Sequence, residues 1–361
     1  MSKPQIAVIG LKGLPAHGGA ATVGQKIVDE LTDRVQFTIY ATANNAEDHL
    51  YNGHKQIIVP SFGKGGINTL IYYALSALHV LFFGNYRLVH VHHYSSGFIA
   101  PLLSLKCKVI TTFHGIPRTA DPKFGRLTNV FLRKNLDWSV IYSNTIISVS
   151  KPDIEELKVM YSEHAQKFRF IPNGMENVEM PQVDPKDHLV FAAGRIYDIK
   201  GLHLILEAMH QMVSPPKLVV IGNLDHSMQY KALIEKLANG LQVEFVGMIK
   251  DKALLYSKIK EAKSFIFPSL TEAMSMMLLE VASLKVPIIA SDIPANKAVF
   301  SEQEVLYFQS DNSTDLLEKI EAMISRPEIA ENKVELAFQT LKKRHNWNKI
   351  ADSYYKLYNH D

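Results

Sequence analysis

Short apolar runs alternate with longer amphipathic stretches along almost the whole chain. Runs rich in Val, Ile and Phe predict strands at Gln5–Ile9, Gln36–Tyr40, Gln56–Val59, Leu88–His92, Val109–Phe113, Thr145–Val149 and Phe168–Ile171. Helical spacing of apolar positions fills the intervals, as at Ala21–Leu31 and Ile67–Phe83. A polar stretch, Met175–His188, carries Pro181 and Pro185 and reads as a linker. The alternation then restarts, with strands at Leu189–Ala193, Leu218–Ile221, Val243–Val246, Ser264–Phe267, Pro287–Ala290 and Val305–Phe308, and a last helical region at Ile329–Tyr358. Strand–helix alternation favours parallel sheets covered by helices on both faces. Two such runs predict an α/β protein of two doubly wound, Rossmann-like domains facing a cleft, residues 1–174 and 187–340. Ligands of such sheets bind beyond the C-terminal strand ends. The loops after Ile9, Phe113, Ala193, Ile221, Val246 and Phe267 are therefore where chemistry is expected.

Composition narrows this picture only slightly. The 361 residues are 47% hydrophobic and 21% charged, an ordinary globular balance with length enough for two cores. A single cysteine, Cys107, excludes an intramolecular disulfide and is compatible with a reducing compartment. No signal peptide is expected ahead of the first strand. The stretch Ile67–Phe83 contains Asn68, Thr69, Ser76 and His79 and is short of the ~20 residues of a membrane span; a buried or partly membrane-facing helix is expected. Charge is uneven. Residues 1–173 hold 18 Lys+Arg against 11 Asp+Glu, and residues 174–361 hold 21 against 25. A basic N-terminal half suits an anionic membrane surface or an anionic substrate, and equally a solvated face. No run of cations interleaved with aromatics points to nucleic acid.

Four places carry candidate chemistry. The loop Gly10-Leu-Lys-Gly-Leu-Pro-Ala-His-Gly18-Gly19 lacks the dinucleotide fingerprint, but Gly18 and Gly19 before a helix let backbone N–H groups approach an anion; a tight turn would use the same glycines. Gly194-Arg195-Ile-Tyr-Asp-Ile-Lys200-Gly201 follows a strand and opens a helix, and its planar fork and point charge both suit phosphate oxygens. His114 ends a strand and could donate to a substrate hydroxyl. Glu272 and Glu280 lie eight residues apart in Thr271-Glu-Ala-Met-Ser-Met-Met-Leu-Leu-Glu280. With a helix in the second half, both carboxylates can face one cleft beside a helix N-terminus, an arrangement that suits a ligand with both phosphate and sugar. His90, His92 and His93 have no acidic or cysteine neighbours in sequence, so no metal is expected there.

In combination and in order, these motifs resemble the retaining glycosyltransferases of family 4, of GT-B architecture, over nearly the whole chain. The carriers are the Gly18-Gly19 loop, Thr-Phe-His114-Gly, Ile171-Pro-Asn-Gly174, Gly194-Arg195…Lys200-Gly201, Pro268-Ser269 and Glu272…Glu280. The opening loop looks most like a bacterial subgroup that includes rhamnosyltransferases and other polysaccharide-building enzymes. The resemblance implies that Arg195 and Lys200 hold and stabilise a leaving nucleoside diphosphate. It implies that Glu272 binds donor-sugar hydroxyls, Glu280 the ribose, and backbone N–H groups of Ser275, Met276 and Met277 the distal phosphate. Gly18, Gly19 and Gly194 would approach the donor, Met248 and Ile249 would line the base pocket, and His114 would sit by the donor sugar as part of the catalytic set. The helix over about 340–361 would return to the first domain. No metal or cofactor is implied beyond the nucleotide-diphosphate-sugar donor. The acceptor would be a glycan or lipid-linked saccharide in bacterial surface polysaccharide synthesis, met at the cytoplasmic membrane face. Ala273 and Ser275 stand where the family has Gly-Phe-Gly or Ser-Phe-Gly, and Lys285 where it has Gly, which puts the donor-sugar fit in question. Two other readings share the architecture: a nucleotide-sugar 2-epimerase, and a non-catalytic nucleotide-sugar-binding protein.

Overall fold

The computed structural model describes residues 3–16, 19–46, 48–60, 62, 65–117, 125–176, 183–184 and 186–359. The chain divides into two compact units: Met1–Asn173 with Trp347–Asp361, and Gly174–Asn346.

The first unit holds eight strands: β1 (Gln5–Lys12), β2 (Gln36–Thr42), β3 (Leu50–Tyr51), β4 (His54–Val59), β5 (Leu88–His92), β6 (Lys108–Phe113), β7 (Thr145–Ser148) and β8 (Phe168–Phe170). Their order is β3-β4-β2-β1-β5-β6-β7-β8, and only the β3–β4 pair is antiparallel. That edge hairpin is absent from the elements read in the sequence. Its turn residues Asn52 and Gly53 both have positive φ (47° and 79°), the Asn-Gly signature of a two-residue hairpin. Buried apolar side chains such as Val89, Val91, Val109, Tyr72 and Leu103 form the core on one face. The order reverses between β1 and β5, which opens a crevice at their C-terminal ends.

The second unit has six parallel strands: β9 (Lys186–Arg195), β10 (Lys217–Asn223), β11 (Val243–Gly247), β12 (Ala262–Phe267), β13 (Ile288–Ser291) and β14 (Leu306–Phe308), in the order β11-β10-β9-β12-β13-β14. Here the reversal lies between β9 and β12. The two faces carry separate cores, one around Phe265, Phe267, Leu279 and Phe300, the other around Leu202, Ile205, Ile266 and Ile289.

The single helix expected at the end of the chain is two helices. Pro327–Arg344 belongs to the second unit and Trp347–Asn359 to the first. At the break His345 leaves helical geometry (φ −115°, ψ 26°), and its carbonyl accepts from Met175 N–H at 2.7 Å. Trp347, Tyr354 and Tyr358 of the last helix are buried in the first unit, and Arg34 lies 3.6 Å above the Tyr355 ring and 2.5 Å from Asp352. Gly66–Phe83 is a helix as expected, but it is not a buried one: only 28% of it is buried. Its last carbonyls are met by the Lys106 ammonium, 2.6 Å from Leu81 O and 2.7 Å from Gly84 O. Cys107 beside it is buried, with its thiol donating to Tyr86 O at 3.2 Å, and burial pushes its pKa up, away from a reactive thiolate.

Candidate active site

In the second unit, the loops after β9 and β12 meet at the strand-order reversal. Three local features hold them together. Gly201 adopts φ +70°, and a Cβ there would lie 2.1 Å from Pro268 O, so only glycine lets the two loops touch. Leu270 N–H donates to Ile199 O at 2.8 Å. Ser291 Oγ donates to Ser269 O at 2.5 Å, and Asn296 donates to the Ser291 carbonyl at 2.9 Å. On this scaffold the Lys200 ammonium sits 2.5 Å from Glu272 Oε1, with the two side chains 24% and 13% exposed. The residues expected to hold a diphosphate and a sugar are thus brought together, and in this structure they neutralise each other.

Arg195 ends β9 with its side chain exposed. Its guanidinium lies 5.7 Å from the Tyr197 ring centroid, and among the described residues it has no carboxylate partner. Gly194 is exposed too, with only Met248 Cε close to where a Cβ would be, at 4.0 Å. Met248 and Ile249 follow β11 directly, Met248 half exposed and Ile249 packed against the core. Gly222, Asn223, Asp225, Phe245, Gly247 and Met248 line part of an open cavity of about 370 Å³ at these strand ends.

The helix Met276–Ser283 starts at Ser275, which has ordinary extended geometry (φ −79°, ψ 124°), offers no side-chain cap and has no acidic residue in the following turn. Its first N–H groups are left for an anion. A serine at this position carries no backbone strain, so the departure from glycine does not distort the loop. Met276 and Met277 are partly buried against the core. Glu280, buried in the second turn, is paired with Lys252 at 3.2 Å. Burial and this carboxylate push the Tyr256 hydroxyl far above its usual range. Neither Lys252 nor Tyr256 was among the sequence candidates; each lies more than 20 residues away and no spacing rule links it to Glu280.

Lys285 lies on the turn that enters β13, at the opposite end of the sheet from these loops. It adopts φ +56°, pairs with Glu335 at 2.7 Å and lies 4.3 Å over the Phe338 ring.

In the first unit, Gly10 has φ +112°, and a Cβ there would lie 2.5 Å from His92 O. Gly18 lies outside the described residues. Gly19 begins the helix Gly19–Glu30 with open space where a Cβ would stand. His114 follows β6 and joins a cluster with the ends of β5. His92 Nδ1 is 3.2 Å from His114 Nε2, with the two ring planes within 14° of parallel, and the His90 ring lies 4.3 Å from that of His92. Burial and the neighbouring rings hold His92 and His114 well below the usual histidine range, His90 goes down to about 3 and His93 to about 4. All four are neutral at pH 7. Among the described residues no group of three or more His, Cys, Asp or Glu is placed to hold a metal ion.

Two family models match consecutive halves of the chain: Glycosyltransferase Family 4 over residues 17–177 and Glycosyl transferases group 1 over residues 176–349. The O-antigen chain mannosyltransferase RfbU of Salmonella typhimurium is 25% identical over 272 residues, 72% of this chain and 74% of that protein. A Campylobacter jejuni protein named N-acetylgalactosamine-N,N'-diacetylbacillosaminyl-diphospho-undecaprenol 4-alpha-N-acetylgalactosaminyltransferase is 23% identical over 210 residues, 56% of this chain and 55% of that one. Among solved structures, Anabaena HepE in complex with UDP and glucose superimposes with a TM-score of 0.77 at 15% identity, covering 98% of this chain and 99% of that one. The consecutive family matches and the two doubly wound units together place this chain among the GT-B glycosyltransferases.

Proposed function

We propose that the protein is a retaining glycosyltransferase that moves a sugar from a nucleoside-diphosphate donor to a lipid-linked saccharide in bacterial surface polysaccharide synthesis. One observation carries the reading: β9 ends in Arg195, the loop after it carries Lys200, and Lys200 meets Glu272 of the loop after β12, beside a helix start with no cap of its own. A departing diphosphate needs preorganised positive charge. Here Arg195 and Lys200 supply two cations and the N–H groups of Ser275, Met276 and Met277 supply a third donor set, so no metal is required for that task. Glu272, released from Lys200 when phosphate takes its place, is positioned to accept from sugar hydroxyls. Glu280, held by Lys252, faces the ribose; Gly194, Met248 and Ile249 border the base.

The acceptor side rests on different support. Both bacterial relatives carry names of polysaccharide or lipid-linked transferases, and the opening loop resembles the rhamnosyltransferase-containing subgroup. The helix Gly66–Phe83 exposes Ile67, Leu78, Phe82 and Phe83, with Phe62 and Leu105 exposed nearby in sequence or against its end. In a unit whose charge is basic, this apolar stripe suits insertion into the headgroup region of an anionic bilayer at the cytoplasmic face. The test is to incubate purified protein with a panel of nucleoside-diphosphate sugars and short polyprenyl-diphosphate saccharides and to read the anomeric proton of the product by NMR. Transfer with the donor's own anomeric configuration supports the proposal. Inverted product contradicts the retaining assignment, and donor converted without acceptor contradicts transfer.

A further inference from the structure

We propose that His92 is a positioning residue, which fixes the tautomer and ring plane of His114 so that His114 meets substrate through an Nδ1–H donor. This rests on the reading that His114 donates to a substrate hydroxyl.

The two histidines end neighbouring parallel strands, β5 and β6, with His92 opposite Thr112 in register. Their contact is nitrogen to nitrogen, His92 Nδ1 to His114 Nε2 at 3.2 Å. Between two neutral imidazoles one nitrogen donates and the other accepts. The choice made at this contact dictates what His114 shows on its far side. If His92 Nδ1–H donates, His114 carries its own proton on Nδ1 and can donate to a hydroxyl. If His114 Nε2–H donates instead, its Nδ1 is bare and can only accept.

His92 is itself held firmly. It is 2% exposed, its strand pairs with β1 on one side and β6 on the other, and the Cβ-free Gly10 lies against its carbonyl. Its ring lies against His90, which is pinned at both nitrogens, 2.8 Å from Thr112 Oγ1 and 2.7 Å from Tyr358 OH. A row of three histidine rings therefore leads from Tyr358, in the last helix of the chain, to His114. A packing role needs only the volume of His92. A positioning role needs the donor at Nδ1, and that difference is measurable.

The experiment compares His92→Phe, which keeps a flat ring without nitrogens, with His92→Asn, whose amide nitrogen falls close to the place of Nδ1. Turnover, donor KM and the melting temperature are read for each, together with the 15N shifts of the His114 ring in otherwise unaltered protein. The expected result is an Nδ1–H tautomer for His114, a fall in kcat of about 10- to 100-fold in His92→Phe, and substantial recovery in His92→Asn at equal thermal stability. An Nε2–H tautomer in the unaltered protein overturns the proposal even if His92→Phe fails to fold. So does wild-type kcat in His92→Phe while His114→Ala is impaired, or an Asn variant no better than the Phe variant. Full turnover in His114→Ala is a separate outcome: it removes the underlying reading of His114 and the proposal with it.

Discussion

The two sheets share one topology but carry opposite electrostatics at their C-terminal ends. At the reversal in the second unit stand formal charges, Arg195 unpaired among the described residues and Lys200 with Glu272, and Lys252 pairs with Glu280 between the helices that follow β11 and β12. At the reversal in the first unit stand four histidines kept neutral by burial, by neighbouring rings and, for His93, by the Lys12 ammonium. The doubly wound sheet chooses where ligands go, and the loop residues choose what kind of ligand can stay. A charged, half-solvated rim can receive a diphosphate and release its internal ion pair. A closely hydrogen-bonded rim of neutral histidines, with Lys12 at the end of β1 held against Thr69, can orient a hydroxyl.

The largest expected effect tests the charged rim. Arg195→Ala removes an exposed cation without a carboxylate partner, so the melting temperature stays within a degree or two. Turnover falls by about 10²- to 10³-fold, the cost of losing one preorganised transition-state contact. Lys200→Ala and Glu272→Ala come next, at about 10²-fold each. Because each now leaves the other's charge partly buried and unpaired, their double variant regains stability relative to the sum of the single ones, a coupling that a double-mutant cycle by thermal denaturation reads directly.

Acidification separates the units. In the first, His54, His79, His90, His92, His93 and His114 all have folded pKa values lowered below the usual 6.5; in the second, among the described residues, His188 does. A lowered histidine binds its proton in the unfolded chain first. Its contribution is therefore complete above about pH 6.5 and declines as pH falls toward the folded values, about 4 for His93 and about 3 for His90. Each fully buried histidine costs about 1.4 kcal/mol per pH unit in that window. Both tryptophans, Trp138 and Trp347, belong to the first unit. Tryptophan fluorescence should thus report unfolding at a higher pH than calorimetry of the remaining transition; coincident transitions would erase the contrast.

Gly201→Ala probes the weld between the two loops of the second unit. The added Cβ meets Pro268 O and a positive φ, for an expected loss of about 1–3 kcal/mol and weaker nucleotide binding. The smallest effect is expected at Lys285→Gly. It relieves a positive φ and removes one exposed ion pair with Glu335, so stability moves by less than about 1 kcal/mol and turnover not at all.

Much of this was legible in the sequence because parallel strands buried on both faces read as short apolar runs, and thirteen of the strands lie where such runs fall. The exception, β3, is two residues long and too short for a pattern, though Asn52-Gly53 announced its turn. The break between the last two helices was hidden because His345 and Asn346 interrupt no apolar periodicity; it is set by a tertiary bond to Met175. In the site, Arg195, Lys200 and Glu272 could be named from loops that follow strands. Their mutual pairing could not, since 72 residues separate Lys200 from Glu272. No metal was expected at the β5 histidines, and their link to His114 was not legible, because alternation along β5 shows that His90 and His92 share a face but not that His114 meets His92 from the next strand.

The central claim is that the β9/β12 reversal binds the donor diphosphate. Titration calorimetry with UDP, GDP, dTDP and ADP, on the unaltered protein and on Arg195→Ala, tests it most directly. The account predicts that one of the four binds, and that the variant binds it at least about tenfold more weakly, a loss of about 1.4 kcal/mol, with an unchanged melting temperature. Equal affinity in both proteins, or binding of none of the four, would contradict it.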